Sequence, residues 1–146
     1  MHDHILLPYD GSKEARKGAE HGIELAAAVG ATVHALYVID LPGAPRTLYV
    51  RDDEEEMREE YREYGEEVTD ELCEMAAEAG VDCEAAIKSG APAEEIVDYA
   101  EDEGIDAIVI GSAYRGKFRA LLGSTADKIV RTSKVPVITT RMEMNE

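Results

Sequence analysis

The chain has 146 residues, 45% of them hydrophobic, so it is long enough for one domain with a substantial core and too short for two ordinary ones. Its 32 acidic and 15 basic side chains give a net charge of −17, which would repel nucleic acids and anionic membrane surfaces. We therefore expect a single domain over residues 1–146 that binds neither nucleic acid nor membrane. Such acidity also predicts a halophilic source, where salt screens self-repulsion.

The sequence predicts a strand, a helix and a second strand in its first 40 residues. Residues 4–10, HILLPYD, are a short apolar run that ends in a turn. Ser12 is placed as an N-cap, and an Ala-rich helical pattern follows until Gly30. Residues 32–40, TVHALYVID, form a nearly continuous apolar run, which is typical of a strand covered on both faces. Within that strand, His34 is expected to be a hydrogen-bonded structural histidine.

A long amphipathic helix is predicted next. After a proline-containing loop, apolar residues recur at spacings of three and four from Asp52 until Gly80. The acidic start of this segment, DDEEE, could be read as a metal site, but acids favour a helix N-terminus and we interpret them as a solvated face. Residues 81–87, VDCEAAI, alternate between apolar and polar side chains, which predicts an edge strand.

The remainder of the chain continues the alternation. A helix runs from Pro92 to the stop at Gly104, and residues 105–111 are the next strand. A helix over about 124–132 and a last strand over 135–140 complete the order βαβαβαβαβ. This order predicts a three-layer, Rossmann-like α/β fold with a parallel sheet and helices on both faces.

Two cysteines, Cys73 and Cys83, lack a CxxC spacing, and no apolar leader follows Met1. We expect both to be small thiols, buried or half-buried, in a protein of the reducing cytoplasm.

The stretch over 111–125, GSAYRGKFRALLGST, follows the fourth strand, at the sheet edge where open α/β sheets bind ligands. Gly111 lets the backbone leave the strand without a Cβ, and Gly123 with Ser124 opens the next helix. The N-terminus of a helix favours phosphate through free N–H groups and its dipole. The stretch is therefore either a phosphate-binding loop or a solvated loop whose three cations balance neighbouring acids.

Four segments, ILLPYDGS, LYVID, GAPAEEIVDYAEDEGIDAIVIGS and LLGSTADKIVRTSKVPVI, make the chain resemble the universal stress protein family along essentially its whole length. The resemblance implies a five-stranded parallel sheet in the order 3-2-1-4-5. It also implies a homodimer joined through the last strand, from Val135 to Thr140. The role implied is that of a regulatory module in the stress response.

The nucleotide-binding branch of that family holds ATP with an Asp after the first strand, a Val ending the second, and a Gly-x2-Gly-x9-Gly-Ser/Thr loop. The loop here departs from that pattern, because its second glycine would fall at Tyr114 and its length is one residue short. Gly116 occupies a position where many members also have glycine. The resemblance implies contacts to the nucleotide from Pro8, Asp10, Gly11, Val38, Gly111, Ser112, Arg115, Gly116, Gly123, Ser124 and Thr125.

Two functions stay open. In the first, the protein binds ATP or ADP, with Mg²⁺ bridging the phosphates, and hydrolyses ATP slowly at most. In the second, the shortened loop leaves a nucleotide-free dimeric module whose function is interaction, and Asp10 only forms a turn by bonding the N–H two residues on. The sequence indicates no catalytic residues and no dedicated metal site. An adenine-nucleotide α hydrolase, whose fold is similar, is disfavoured because its Ser-Gly-Gly-x-Asp-Ser loop is missing after the first strand. A dinucleotide oxidoreductase is disfavoured because GxGxxG is missing there as well.

Overall fold

The computed structural model describes residues 3–40, 51–112 and 124–141, apart from the side chains of residues 51–55 and 124. Strands and helices alternate along these residues in the predicted order. They are β1 (His4–Pro8), α1 (Lys13–Val29), β2 (Thr32–Ile39), α2 (Arg51–Glu78), β3 (Cys83–Ser89), α3 (Pro92–Asp102), β4 (Ala107–Ser112), α4 (Ser124–Thr132) and β5 (Val137–Arg141).

The five strands form one parallel sheet in the order β3-β2-β1-β4-β5. This confirms the predicted order and the Rossmann-like fold class. The central strand β1 is fully covered at its middle, where Ile5, Leu6 and Leu7 are all at 0% exposure. Strand β2 lies beside it, which agrees with its continuous apolar run, and β3 lies at an edge as its alternation predicted.

Helices cover both faces of the sheet, as the three-layer prediction required. On one face α1 and α2 pack over the sheet through small and branched side chains, among them Ala19, Ile23, Val68 and Leu72. On the other face α3 and α4 contribute a second cluster that includes Ile96, Ala100, Ala126 and Ile129. None of the described helices combines the length and apolarity needed to cross a bilayer.

Local signals set the helix ends. The hydroxyl of Ser12 accepts a hydrogen bond from the Ala15 N–H at 3.2 Å and so caps α1. At the other end Gly30 adopts a left-handed φ of 74°, and the N–H groups of Gly30 and Ala31 both donate to the Ala26 carbonyl. Pro92 begins α3, and α4 has the bounds that the sequence predicted.

The three strands after α2 begin two residues later than predicted, and β3 gives the physical reason. Val81 is buried, yet its N–H donates to the carbonyl of Ala76 at 2.8 Å. It therefore completes the turn after α2 instead of joining the sheet. Strand β3 begins at Cys83, which is registered opposite Val33 of β2.

The prediction of two free thiols was wrong. Cys73 of α2 and Cys83 of β3 are joined by a disulfide, with their Cα atoms 5.3 Å apart. Both lie half-buried, as expected. They meet because the inward face of the last turns of α2 packs over the start of the strand that follows it. The disulfide ties the edge strand of the sheet to its covering helix.

His34 has the structural role that the sequence predicted. Its ring is buried, with Nδ1 2.7 Å from the Tyr99 hydroxyl oxygen and Nε2 3.0 Å from Nδ1 of His4. Burial lowers the pKa of His34 below its usual value, so the neutral ring is favoured.

Candidate functional site

A cavity of about 270 Å³ lies beyond the carboxyl ends of β1, β2 and β4. Strand β1 has β2 on one side and β4 on the other, so the winding of the sheet reverses direction here. Six of the residues that the sequence predicted for a nucleotide line this cavity: Pro8, Asp10, Val38, Gly111, Ser112 and Thr125. They come from five different elements and connections of the fold.

Part of the cavity wall is apolar. Leu36 and Val38 of β2 and Ile110 of β4 line it from the sheet. Pro92 and Ile96 of α3 also line it, and neither was predicted. The sequence did offer one signal for Pro92. It was predicted to begin the helix that follows the edge strand, and such a helix begins on the side of the sheet where the cavity lies. Apolar side chains such as these can pack against a ring system.

Asp10 provides a carboxylate at the cavity. Its Oδ1 accepts a hydrogen bond from the Ser12 N–H at 2.9 Å, and its backbone carbonyl accepts one from the Tyr64 hydroxyl at 2.9 Å. The turn-forming role of Asp10 is therefore real. Among the described residues, no group donates to the second carboxylate oxygen. That oxygen can still accept a hydrogen bond from a ligand, so the two roles are compatible.

The charge of the described cavity wall is negative. Asp10 and Glu14 line it, and none of the described lining residues is a lysine or an arginine. Burial, helped by the neighbouring Glu71 carboxylate, raises the pKa of the lining residue Tyr9 and keeps that side chain neutral. Carboxylates accept hydrogen bonds from amino and hydroxyl groups and repel phosphate. This part of the cavity is thus suited to the uncharged end of a ligand.

Gly111 also has a packing role. A Cβ on it would lie 1.7 Å from the backbone oxygen of Glu14, and one on Gly18 would lie 2.6 Å from the Gly111 nitrogen. The start of α1 thus touches the end of β4 backbone to backbone. The glycine is required for the close approach of α1, whatever the cavity holds.

The other predicted residues fall outside the cavity wall or outside the described residues. Gly11 lies in the turn between two lining residues with a left-handed φ of 81°. Arg115, Gly116 and Gly123 are not among the described residues, and of Ser124 only the backbone at the start of α4 is described. Thr125, one residue further into that helix, lines the cavity.

A parallel α/β sheet of order 3-2-1-4-5, with a cavity at its switch point, defines a Rossmann-like domain. Comparison with known proteins narrows this class. The profile of the universal stress protein family matches residues 1–141, and the chain belongs to that family.

Individual relatives agree. A universal stress protein of Methanocaldococcus jannaschii is 33% identical over 100% of this chain and 86% of its own length. The solved structure of a universal stress protein from Lactobacillus plantarum is 25% identical, with a TM-score of 0.84 over 96% of this chain and 98% of its own. A family member from Arabidopsis thaliana, solved with AMP bound, is 21% identical, with a TM-score of 0.74 over 98% of this chain and 94% of its own.

Proposed function

We propose that the protein is a stress-response module that binds an adenine nucleotide, ATP or ADP, in the cavity at the carboxyl edge of the sheet. The observation that carries the proposal is the meeting of Asp10, Val38 and Gly111 around one cavity. Nucleotide binding is expected to regulate conformation or partner choice. The Arabidopsis relative shares the fold and was solved with AMP, which makes an adenine nucleotide the first ligand to test.

In this proposal the adenine ring packs between apolar side chains from β2, β4 and α3. Val38, Ile96 and Ile110 would remove both faces of the ring from water. The free carboxylate oxygen of Asp10 would accept a hydrogen bond from the exocyclic amine of adenine. Such an edge contact distinguishes adenine from bases that present a carbonyl there.

The phosphates would lie toward the start of α4. Thr125 is in the first turn of that helix and lines the cavity, and a helix N-terminus favours anions. The loop over 111–125, with Arg115, Gly116 and Gly123, would supply further N–H groups and positive charge. Mg²⁺ would bridge the phosphates with few protein ligands.

The experiment that tests this proposal starts from purified protein at high salt. Denaturation should release ATP or ADP detectable by chromatography, and calorimetric titration of ATP into nucleotide-free protein should give micromolar binding. Without released nucleotide, and without heat at millimolar ATP, the proposal would be wrong and the interaction module would be favoured.

The variant Asp10→Asn sharpens the test. Asn keeps an oxygen for the Ser12 N–H and therefore the turn, but a second acceptor becomes a donor that opposes the adenine amine. We expect ATP to bind about tenfold more weakly, which corresponds to about 1.4 kcal/mol, with unfolding stability unchanged. The matched control is Asp70→Asn, on the exposed surface of α2. Equal affinity in both variants would remove Asp10 from the site.

A second observation favours a homodimer joined through β5. The Ile108 N–H donates to the Pro136 carbonyl, and Ile108 is registered opposite Val137. In a parallel ladder of this register, residues 136 and 138 direct their backbone groups at β4, while 137 and 139 direct theirs outward. Strand β5 therefore offers backbone groups along a sheet edge, and we propose that β5 of a second copy pairs with it.

Thr139→Pro tests this dimer. Proline removes an outward N–H without touching the bonds to β4, and edge strands tolerate it. We expect the dimer to weaken at least about tenfold, or about 1.4 kcal/mol, measured by sedimentation equilibrium at high salt. Ala85→Pro is the matched control, because by the register of Val33 with Cys83 it removes an outward N–H from the opposite edge. A monomeric parent protein, or the same weakening by both variants, would contradict the proposal.

A further inference from the structure

His4, His34 and Glu84 lie together near the amino ends of β1, β2 and β3. The cavity lies at the opposite, carboxyl ends of the strands. We propose that these three side chains form a binding site for a divalent metal ion of the zinc class. The site does not depend on the proposed nucleotide. The sequence pattern did not indicate it, because its three members are each separated by at least 30 residues.

The register of the sheet brings the three side chains to one face. His34 is opposite Leu6 of β1 and opposite Glu84 of β3. His4 precedes Leu6 by two residues, so it points to the same face of the sheet. Three adjacent strands thus each place one ligand-bearing side chain on the face that α3 covers.

The distances between the ligand atoms fit one shared ion. His34 Nε2 lies 3.0 Å from His4 Nδ1 and 3.5 Å from Glu84 Oε2. The three ligand atoms all lie within 4.8 Å of one another. Two nitrogen or oxygen ligands at about 2.0–2.1 Å from a tetrahedral zinc ion stand roughly 3.3 Å apart. Binding therefore requires only small side-chain adjustments.

The ligands are held in place by second partners, as metal-bound histidines usually are. His34 Nδ1 lies 2.7 Å from the Tyr99 hydroxyl oxygen. When Nδ1 donates there, Nε2 presents its lone pair toward the site. The backbone N–H groups of Asp3 and His4 both donate to Asp106 Oδ2, at 2.8 and 2.9 Å. That pair of bonds fixes the start of β1 and hence the position of the His4 ring.

The site combines a buried floor with an open entrance. The side chain of His34 is 4% exposed, whereas that of Glu84 is 64% exposed. An ion can therefore enter from solvent, and water can complete its coordination. Two imidazoles and one carboxylate favour zinc-class ions over Mg²⁺ and Ca²⁺, which prefer oxygen ligands. A bound ion would join β1, β2 and β3 at their amino ends and should raise the unfolding temperature.

The test uses the full chain without a polyhistidine tag, stripped with EDTA and dialysed. Titration with Zn²⁺ should give one ion per chain with a Kd in the micromolar range or below, and Zn²⁺ should raise the melting temperature. His4→Gln and Glu84→Gln should each weaken binding at least about tenfold and remove the thermal shift. Both positions are less buried than His34, so these variants avoid disturbing the core.

The matched controls are His21→Gln, on the exposed surface of α1, and His2→Gln, near the N-terminus. Both should bind Zn²⁺ as the parent chain does. Three results would overturn the proposal: no stoichiometric binding, binding that survives both His4→Gln and Glu84→Gln, or binding that either control abolishes. In the first case the three side chains form only a hydrogen-bonded cluster.

Discussion

Gly111 has two roles. It lines the cavity, and it packs against the backbone of the first turn of α1. The sequence predicted it as a glycine where the chain leaves a strand for a ligand. Its contact with the Glu14 backbone joins residues 97 positions apart (111 minus 14). Neither periodicity nor turn chemistry carries that information.

Gly111→Ala should be severely destabilising. Its Cβ would lie 1.7 Å from a backbone oxygen, which cannot move aside as a side chain can, so we expect a loss of at least about 3 kcal/mol in the free energy of unfolding. Denaturant titration at high salt measures it. The control is Gly104→Ala, where a Cβ has open space and only the left-handed φ of 64° is strained, at a cost of about 1–2 kcal/mol. Similar losses in the two variants would argue against the α1 contact.

Part of the candidate site was predictable from the sequence and part was not. Asp10 and Val38 could be predicted because each lies close to the carboxyl end of a strand that a sequence pattern can locate, and the carboxyl ends of parallel strands meet on one side of the sheet. Ile96 could not, because which turn of α3 overhangs the cavity depends on packing. The cluster of His34 with Glu84 depends on strand register, which a buried parallel strand does not reveal in its own sequence.

At the scale of elements, hydrophobic periodicity gave every helix and strand among the described residues, with shifts of at most a few residues at their ends. The disulfide between α2 and β3 could not be predicted from the sequence. Its formation depends on which face of the last turns of α2 meets the first residue of β3, and the 10-residue separation of Cys73 from Cys83 permits other arrangements. Helix rotation and strand register have to be known together before the two sulfur atoms can be placed.

Reduction of this disulfide should lower stability by about 3 kcal/mol, the loop-closure entropy expected for a loop of this length. The measurement is the urea midpoint at high salt with and without a phosphine reductant. The double variant with Cys73→Ser and Cys83→Ser should unfold at the reduced midpoint and ignore the reductant. Two free thiols in the untreated protein, together with a midpoint that the reductant does not change, would contradict the bond.

At the scale of the whole molecule, unbalanced acidity dominates. With 32 acidic and 15 basic residues, at least 17 carboxylates have no cation to pair with one to one. Several ion pairs of lysine and arginine among the described residues lie at the surface, for example Lys134 with Glu101 at 2.9 Å and Arg131 with Asp127 at 3.0 Å. Pairs of this kind contribute at most about 1 kcal/mol each, so self-repulsion remains for salt to screen.

Stability should therefore rise with salt. We expect the melting temperature to increase by several degrees between about 0.1 M and about 2 M KCl. Glu59, Glu63 and Glu67 repeat at i,i+4 on the exposed face of α2, where like charges repel. Changing all three to Gln should stabilise the protein at low salt and flatten the salt dependence. A melting temperature that ignores KCl in the parent chain would contradict the halophilic interpretation.

The two edges of the sheet are fastened differently. Strand β3 is tied to α2 by a covalent bond, whereas β5 is held to β4 through backbone hydrogen bonds and packing. Thermal unzipping of the sheet should accordingly start at β5. Gly111 in the cavity wall is registered opposite Thr140 of that strand. Separation of β5 from β4 would therefore directly loosen a strand that lines the cavity. A subunit seated on β5 would damp this motion and make ligand retention depend on assembly.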